Sequence, residues 1–203
     1  MHELIIEAIA RGGYWGIALL MLIENVFPPI PSEVIMGIGG VLVARGHMEF
    51  WPLLIAGTIG STAGNYVWYW IGDRWGYRRL EPLVARHGRW LTLEWEDIEA
   101  ATRFFQRHGQ WVVLVLRFSP VLRTMISLPA GLSHMKAWRF LLFTFVGTGI
   151  WNVLLILGGT WLGRYLEKSQ DLMAWVVLGS LGLALLAYLW RVFTWKPRAE
   201  RQP

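Results

Sequence analysis

The chain has 203 residues, 55% of them hydrophobic, and its apolar residues occur in blocks separated by charged segments. This length allows a single domain (residues 1–203), and the composition is typical of a membrane protein rather than a soluble one. The sequence has no cysteine, which excludes disulfides and zinc–thiolate sites. Its net charge of +5 is spread between the apolar blocks, which does not suit a nucleic-acid-binding face.

The first apolar block, residues 14–44, is interrupted by prolines. Pro28, Pro29 and Pro31 fall within four residues, and proline cannot continue a helix through its interior. The apolar arm on either side is too short to cross about 30 Å of hydrocarbon. We therefore predict a re-entrant helical hairpin over residues 14–44, which enters the membrane and returns to the same side.

Three further blocks carry no charged residue and approach the ~20 residues needed to cross a bilayer. We predict transmembrane helices over residues 51–72, 140–163 and 172–190. The segment 74–109 is polar and rich in arginine, and within it an amphipathic helix over 92–109 is expected to lie on the membrane surface. The apolar face of that helix consists of Trp95, Ile98, Thr102 and Phe105.

Residues 110–132 repeat the design of the first hairpin. An apolar arm meets a break at Pro120, and a short arm follows in which Pro129 and Gly131 are also assigned as break residues of the hairpin. Because a hairpin and one span together cross the membrane once, the second hairpin must enter from the opposite side. The predicted fold is thus an all-α inverted repeat of two re-entrant hairpins, each followed by a transmembrane helix, plus a C-terminal transmembrane helix.

The distribution of basic residues predicts the orientation of this arrangement. Most lysines and arginines fall on the side that holds residues 74–109 and the C-terminus. Basic residues concentrate on the cytoplasmic side of membrane proteins, so both parts are expected to be cytoplasmic in a multi-pass protein.

Four charged side chains lie inside apolar sequence, two in each hairpin. Glu24 and Glu33 flank the first break, and Arg117 and Arg123 flank the second. An ionisable group at membrane depth costs several kcal/mol or more unless it is paired or hydrated. In an inverted repeat the two breaks face each other near the midplane, so we expect two carboxylates to meet two guanidinium groups there.

This constellation predicts a site for an anionic substrate. Two arginines can hold a phosphate through paired N–H donors, and we assign Ser119, within the second break, to the same site. Glu24 or Glu33 can bind a proton at this depth, which would couple transport to the proton gradient. The alternative without a function in transport is that each charged side chain extends to the membrane–water interface or forms a purely structural ion pair.

Other chemistry finds little support in the sequence. The histidines have no metal-ligand spacing, and the chain has no nucleophile–base set, phosphate-binding loop or dinucleotide fingerprint. We predict that the protein is not an enzyme and has neither a metal site nor a cofactor. Closely spaced glycines within the predicted spans permit a homodimer but do not require one.

The same segments resemble the DedA family, whose members carry what is also called a VTT or SNARE-associated domain. The resemblance rests on residues 24–40 around FPPIPSE, on the run RFSPVLR at 117–123, and on the Pro-Ala-Gly that follows it, and it covers about residues 14–163. It implies two facing re-entrant hairpins, with essential acids in the first and essential arginines in the second. Those roles fall on Glu24, Glu33, Arg117 and Arg123.

The resemblance also implies a function. Members are similar to flippases that return undecaprenyl phosphate for cell-wall synthesis, others are linked to proton-dependent stress tolerance, and eukaryotic relatives act as phospholipid scramblases. We therefore predict a transporter that moves an anionic polyprenyl carrier, undecaprenyl phosphate, across the bacterial cytoplasmic (inner) membrane. Open alternatives are a proton-coupled transporter of a soluble solute, a phospholipid scramblase, a non-transporting assembly protein and, more weakly, a lipid phosphatase.

Overall fold

The structure is a computed structural model of the chain, and it describes residues 2–26, 32–91, 95–108, 111–117, 123 and 126–165, with the single positions 179, 182 and 186. Every regular element within these ranges is an α-helix. In chain order they are α1 (His2–Val26), α2 (Ser32–Ala44), α3 (Phe50–Leu91), α4 (Trp95–His108), α5 (Val112–Leu116), α6 (Ser127–Leu132) and α7 (Ala137–Tyr165).

Several predicted features lie outside the described residues. These are the break prolines Pro28, Pro29, Pro31 and Pro120, the site residue Ser119, and nearly all of the predicted span 172–190. The all-helical fold class is confirmed for the part of the chain that the structure describes.

Helix α1 changes direction at Gly13, whose φ of +52° is a conformation that glycine adopts without strain. The part of α1 after this kink coincides with the first arm of the predicted hairpin, and α2 coincides with the second arm. The two arms pack on different partners, since α1 lies against α3 and α2 lies against α7. Ile17 and Met21 of α1 and Ile35 and Met36 of α2 are fully buried in one core with Leu53.

Helix α3 is longer than the predicted span 51–72. It runs to Leu91, with a change of direction at Gly76, where φ is +61°. The charges at Asp73 and Arg74 end the apolar sequence but not the helix, because polar residues continue a helix readily once it is outside hydrocarbon. Residues 74–91 are therefore helical rather than the start of a separate segment.

Helix α4 confirms the core of the predicted amphipathic helix, but its apolar face is not free to lie on a membrane. Ile98 and Phe105 are 3% and 4% exposed. Ile98 packs with Leu80 of α3 and Leu128 of α6, and Phe105 lies in the cluster that contains Tyr69. The prediction of a surface-lying face is therefore wrong: this face covers α3 and α6.

Helix α7 contains the predicted span 140–163. Among the described residues it is the one helix both long and apolar enough to cross a membrane, over Ala137–Arg164. Its outer face exposes large apolar side chains at helical spacing, as a lipid-facing surface does. The predicted span 51–72 lies within α3 and is less apolar, because small and polar residues such as Ser61 and Asn65 interrupt it. The exposed face of α7 includes Trp138, Leu142, Phe145, Ile150, Leu154 and Trp161.

The two halves of the chain share a packing pattern. Helix α3 receives α1 and α6, whereas α7 receives α2 and α5. Each long helix thus packs against the first arm of its own half and the second arm of the other half. The turns after α2 and α6 also match: Gly46 has φ +72° and His134 has φ +50°, the left-handed conformation in which helices commonly end.

A sequence register accompanies this pattern. Identical residues stand 87 positions apart along α3 and α7 and the turns that precede them. They are His47 and His134, Met48 and Met135, Trp51 and Trp138, Leu54 and Leu141, Gly60 and Gly147, Asn65 and Asn152, Gly72 and Gly159, and Gly76 and Gly163.

Candidate functional site

Arg123 contacts both acids predicted for the site. Its Nη2 lies 3.4 Å from Oε1 of Glu24 and 3.1 Å from Oε1 of Glu33, and it also donates to the hydroxyl of Ser32. The side chains of Arg123 and Glu24 are 12% and 5% exposed, whereas that of Glu33 is 38% exposed. One guanidinium group therefore joins the end of α1 to the beginning of α2.

The helix ends explain why these groups meet. Glu24 stands in the last turn of α1, and Ser32 and Glu33 open α2. A carboxylate in the first turn of a helix is favoured by the positive end of the helix dipole. The break between α1 and α2 thus brings two acids and one hydroxyl to the place that Arg123 reaches from a distant part of the chain.

Arg117 has a different environment. It is 2% exposed, and its Nη2 donates to the hydroxyls of Ser127, at 3.2 Å, and Thr144, at 3.1 Å. Its guanidinium carbon lies 5.9 Å from the centre of the Phe140 ring, and the first atoms of its side chain pack against Gly147. No carboxylate among the described residues lies within 4.0 Å of it, so the pairing expected for both arginines occurs only at Arg123. The reason is positional: Arg117 follows α5, and its guanidinium group reaches Ser127 of α6 and Thr144 of α7.

Three buried N–H groups at this site lack an acceptor in the described part of the chain. They are Nε of Arg117, Nε of Arg123 and the indole Nε1 of Trp151, whose ring lies 5.9 Å from the guanidinium carbon of Arg123. An unpaired buried donor costs about 1–3 kcal/mol, so natural proteins rarely keep several together without a use. A group of donors on two cations is suited to an anion that is rich in acceptor oxygens.

Two buried asparagines connect the surroundings of the two arginines. The side-chain nitrogen of Asn25 donates to Oε2 of Glu24, at 2.5 Å, and to the hydroxyl of Ser61, at 3.0 Å. Asn65 donates to Oδ1 of Asn25, at 2.5 Å, and accepts from the hydroxyl of Ser127, at 2.8 Å. Since Ser127 also accepts from Arg117, hydrogen bonds run without interruption from Glu24 to Arg117.

Comparison with known proteins identifies the family of this chain. The sequence profile described as the VTT domain matches residues 30–161, which covers most of the helices that build the site. The chain belongs to the VTT domain (DedA) family. No solved structure matches it.

The VTT domain protein is similar to several curated bacterial proteins, three of which are described here. It is 39% identical over 201 residues to the "alkaline phosphatase-like protein" of Lactococcus lactis subsp. lactis (strain IL1403), which covers 95% of this chain and 94% of that one. It is 39% identical over 173 residues to "undecaprenyl phosphate transporter A" of Staphylococcus aureus (strain NCTC 8325 / PS 47), covering 85% and 83%. For the protein of the same name in Bacillus subtilis (strain 168), identity is 36% over 160 residues, with 79% and 77% covered.

The predicted break residues of the second hairpin have another role in the VTT domain protein. Pro129 and Gly131 lie inside α6 and are buried, so they do not interrupt a helix. Pro129 falls in the first turn of α6, where a missing N–H has little cost. A Cβ at Gly131 would stand 2.1 Å from the carbonyl oxygen of Tyr69, so glycine is needed for α6 to approach α3.

The sequence predicts one site that contains Glu24, Glu33 and Arg123, and the structure brings these three side chains together. The sequence-based prediction of the site did not include Asn25, Ser127 and Thr144. A signal for them existed, because each is a polar residue in an apolar stretch beside the predicted site. Within the described ranges no group of three or more His, Asp or Glu side chains could hold a metal ion.

Proposed function

We propose that this VTT domain protein is a transporter that moves a polyprenyl monophosphate, undecaprenyl phosphate, across the bacterial cytoplasmic membrane. Its phosphate would bind between Arg117 and Arg123 while the isoprenoid tail stays in lipid. One observation carries the proposal: Arg117 is a buried cation whose hydrogen-bond acceptors among the described residues are two hydroxyls, and its Nε has no acceptor there. An uncompensated buried charge is strongly unfavourable, and a phosphate would compensate it.

The acids have a complementary role in this proposal. With no substrate bound, Glu24 and Glu33 neutralise Arg123. An arriving phosphate carries the same sign of charge as these carboxylates and competes with them for the guanidinium group. Substrate binding would therefore displace Glu24 and Glu33 or lead them to take up protons. That exchange is how transport would be coupled to the proton gradient.

An inverted repeat supplies the alternating access that such a transporter needs. We infer this repeat from the shared packing pattern, in which α3 receives α1 and α6 while α7 receives α2 and α5, and from the 87-residue register of identical residues. In this arrangement residues 14–44 and 110–132 form two re-entrant hairpins whose tips meet at Arg123 and Glu24. Residues 74–109 and the C-terminus would be cytoplasmic.

The names of the two transporter relatives support the choice of substrate. Both are called undecaprenyl phosphate transporter A, and each covers more than three quarters of this chain.

The test measures binding of undecaprenyl phosphate to purified protein in detergent. Wild type is expected to bind it saturably, and Arg117→Ala and Arg123→Ala are each expected to lose binding while the protein stays folded by its thermal unfolding midpoint. Arg103→Ala removes an arginine of α4 that is 67% exposed and pairs with Glu99, and it should bind like wild type.

Inorganic phosphate and an anionic phospholipid serve as competitors. Displacement by phosphate alone at equal concentration would indicate a transporter of a soluble anion, and displacement by the phospholipid would indicate a scramblase. If wild type does not bind, or if all the variants bind equally, the proposed function is wrong.

A further inference from the structure

We propose that Asn65 is a positioning residue that joins the two arginines into one site, so that a substrate held by Arg123 is also held by Arg117. The inference rests on the proposed function and adds a residue to it. Asn65 itself contacts neither arginine. It acts through Asn25 and Glu24 on one side and through Ser127 on the other.

The first half of this chain of hydrogen bonds reaches Arg123. Asn65 is 0% exposed, and its amide nitrogen donates to Oδ1 of Asn25 at 2.5 Å and to the backbone carbonyl of Ser61 at 2.8 Å. Asn25 in turn donates to Oε2 of Glu24, and the other oxygen of Glu24 faces Arg123. The orientation of the Glu24 carboxylate therefore depends on Asn25, which depends on Asn65.

The second half reaches Arg117. Oδ1 of Asn65 accepts from the hydroxyl of Ser127 at 2.8 Å, so that hydroxyl has its proton committed and its lone pairs directed toward Arg117, whose Nη2 lies at 3.2 Å. Asn65 thus determines which way Ser127 faces. Without it, the hydroxyl could rotate its proton toward the guanidinium group and repel it.

The amide is suited to this position because it is both donor and acceptor. The NH2 group of Asn65 donates to the side-chain oxygen of Asn25. The NH2 group of Asn25 is therefore directed to the carboxylate of Glu24. If Asn25 were reversed, its oxygen would face Glu24 and the two would repel. A buried network in which every member is satisfied favours one arrangement over its alternatives, and both asparagines fix its direction.

The chain contains its own control. Asn152 occupies the matching position in α7, 87 residues later, and is also 0% exposed. Its amide nitrogen donates to the hydroxyl of Thr58 at 3.2 Å, and its Oδ1 has no partner within the described part of the protein. Asn152 therefore shares the burial, residue type and helix environment of Asn65, but it lies on no hydrogen-bonded connection between the arginines.

The experiment compares Asn65→Leu with Asn152→Leu, each alone and combined with Glu24→Gln, using farnesyl monophosphate as the probe and purified full-length protein in detergent. Both leucines replace a buried amide by an apolar group of similar size. Asn65→Leu is expected to raise the Kd for the probe about tenfold, and Asn152→Leu to leave it within about twofold. Thermal unfolding midpoints of the two variants report any common loss of stability.

The double variants separate positioning from a general structural effect. Asn65→Leu and Glu24→Gln act on one network, so the factor by which Asn65→Leu changes Kd should differ clearly between the wild-type and the Glu24→Gln background. Asn152→Leu should change Kd by the same factor in both backgrounds. If Asn65→Leu does not fold, Ser127→Ala interrupts the same chain by removing one oxygen and is expected to show the same non-additivity with Glu24→Gln.

The outcomes are distinguishable. Wild type that fails to bind farnesyl monophosphate overturns the proposed function and this inference with it. Wild type that binds, with Asn65→Leu and Asn152→Leu affected equally or with additive effects in both double variants, overturns the role of Asn65 alone.

Discussion

Arg123 and Glu24 meet across 99 residues of chain, with Nη2 of the arginine 3.4 Å from Oε1 of the acid and both side chains largely buried. Glu33 lies on the same guanidinium group at 3.1 Å, whereas the hydrogen-bond partners of Arg117 among the described residues are both hydroxyls. The two arginines are therefore unequal. One has its counterions within the protein, and the other is suited to receive one from outside.

Glu24→Gln should strengthen substrate binding and slow transport. The amide cannot compete with a phosphate for Arg123, so the Kd for undecaprenyl phosphate should fall by about fivefold. Without the carboxylate that displaces the phosphate again, release should become slower. Binding is measured in detergent and transport in proteoliposomes, with Glu96→Gln on the exposed side of α4 as the control. Weaker binding in Glu24→Gln would contradict the competition between acid and substrate.

Arg117→Met should abolish substrate binding and stabilise the protein. It replaces a buried cation by an apolar side chain of similar length. No carboxylate among the described residues lies within 4.0 Å of this cation, and such a replacement is commonly neutral or stabilising by about 1–4 kcal/mol. Differential scanning of the detergent-solubilised protein gives the unfolding midpoint, and the same sample is used for binding. A strong loss of stability in Arg117→Met would mean that the arginine holds the fold together instead.

Gly131→Ala should destabilise the contact between α6 and α3 by about 1–3 kcal/mol, because the new Cβ would stand 2.1 Å from a backbone oxygen that cannot yield easily. Gly158→Ala is the matched control within α7. Within the described part of the chain no atom outside its own stretch of helix lies within 4 Å of its Cβ position, so the alanine should stabilise the helix by up to about 1 kcal/mol. Unfolding midpoints that shift in the same direction for both variants would count against the close approach.

Ile98→Ala should destabilise the protein by about 2–5 kcal/mol, since this side chain is 3% exposed between α3 and α6. Glu96→Ala, on the exposed side of the same helix, should change stability by no more than about 0.5 kcal/mol. If α4 lay on the lipid surface instead, Ile98→Ala would reduce membrane association of the helix and leave the unfolding midpoint unchanged.

The sequence was sufficient to predict the helices, the membrane setting and the charged side chains that stand within apolar segments, because hydropathy and intramembrane charge are strong physical signals. It did not predict which charges pair. Arg117 and Arg123 are six residues apart, and only the direction in which each leaves the chain decides that one meets the acids and the other meets Ser127 and Thr144. A pattern of residue types contains no such direction.

The prediction that the apolar face of α4 lies on the membrane surface failed for a related reason. The periodicity of the helix indicates that Ile98 and Phe105 need apolar neighbours, but lipid and protein meet that requirement equally well. The partner is α6, whose six residues are all buried and require a cover. The sequence does not reveal the role of Asn65 either, since its partners come from α1 and α6 and are distant along the chain.

The kink at Gly76 has a mechanical consequence. Fifteen residues of α3 follow it, which at 1.5 Å per residue form an arm about 22 Å long. A rotation of about 10° at this one pivot, whose φ of +61° only glycine adopts freely, would sweep the tip at Leu91 through roughly 4 Å. Leu80, one turn after the kink, packs with Leu128 of α6. A movement of α6 would therefore be passed through this contact to the end of the arm at Leu91, where a distance probe could record it.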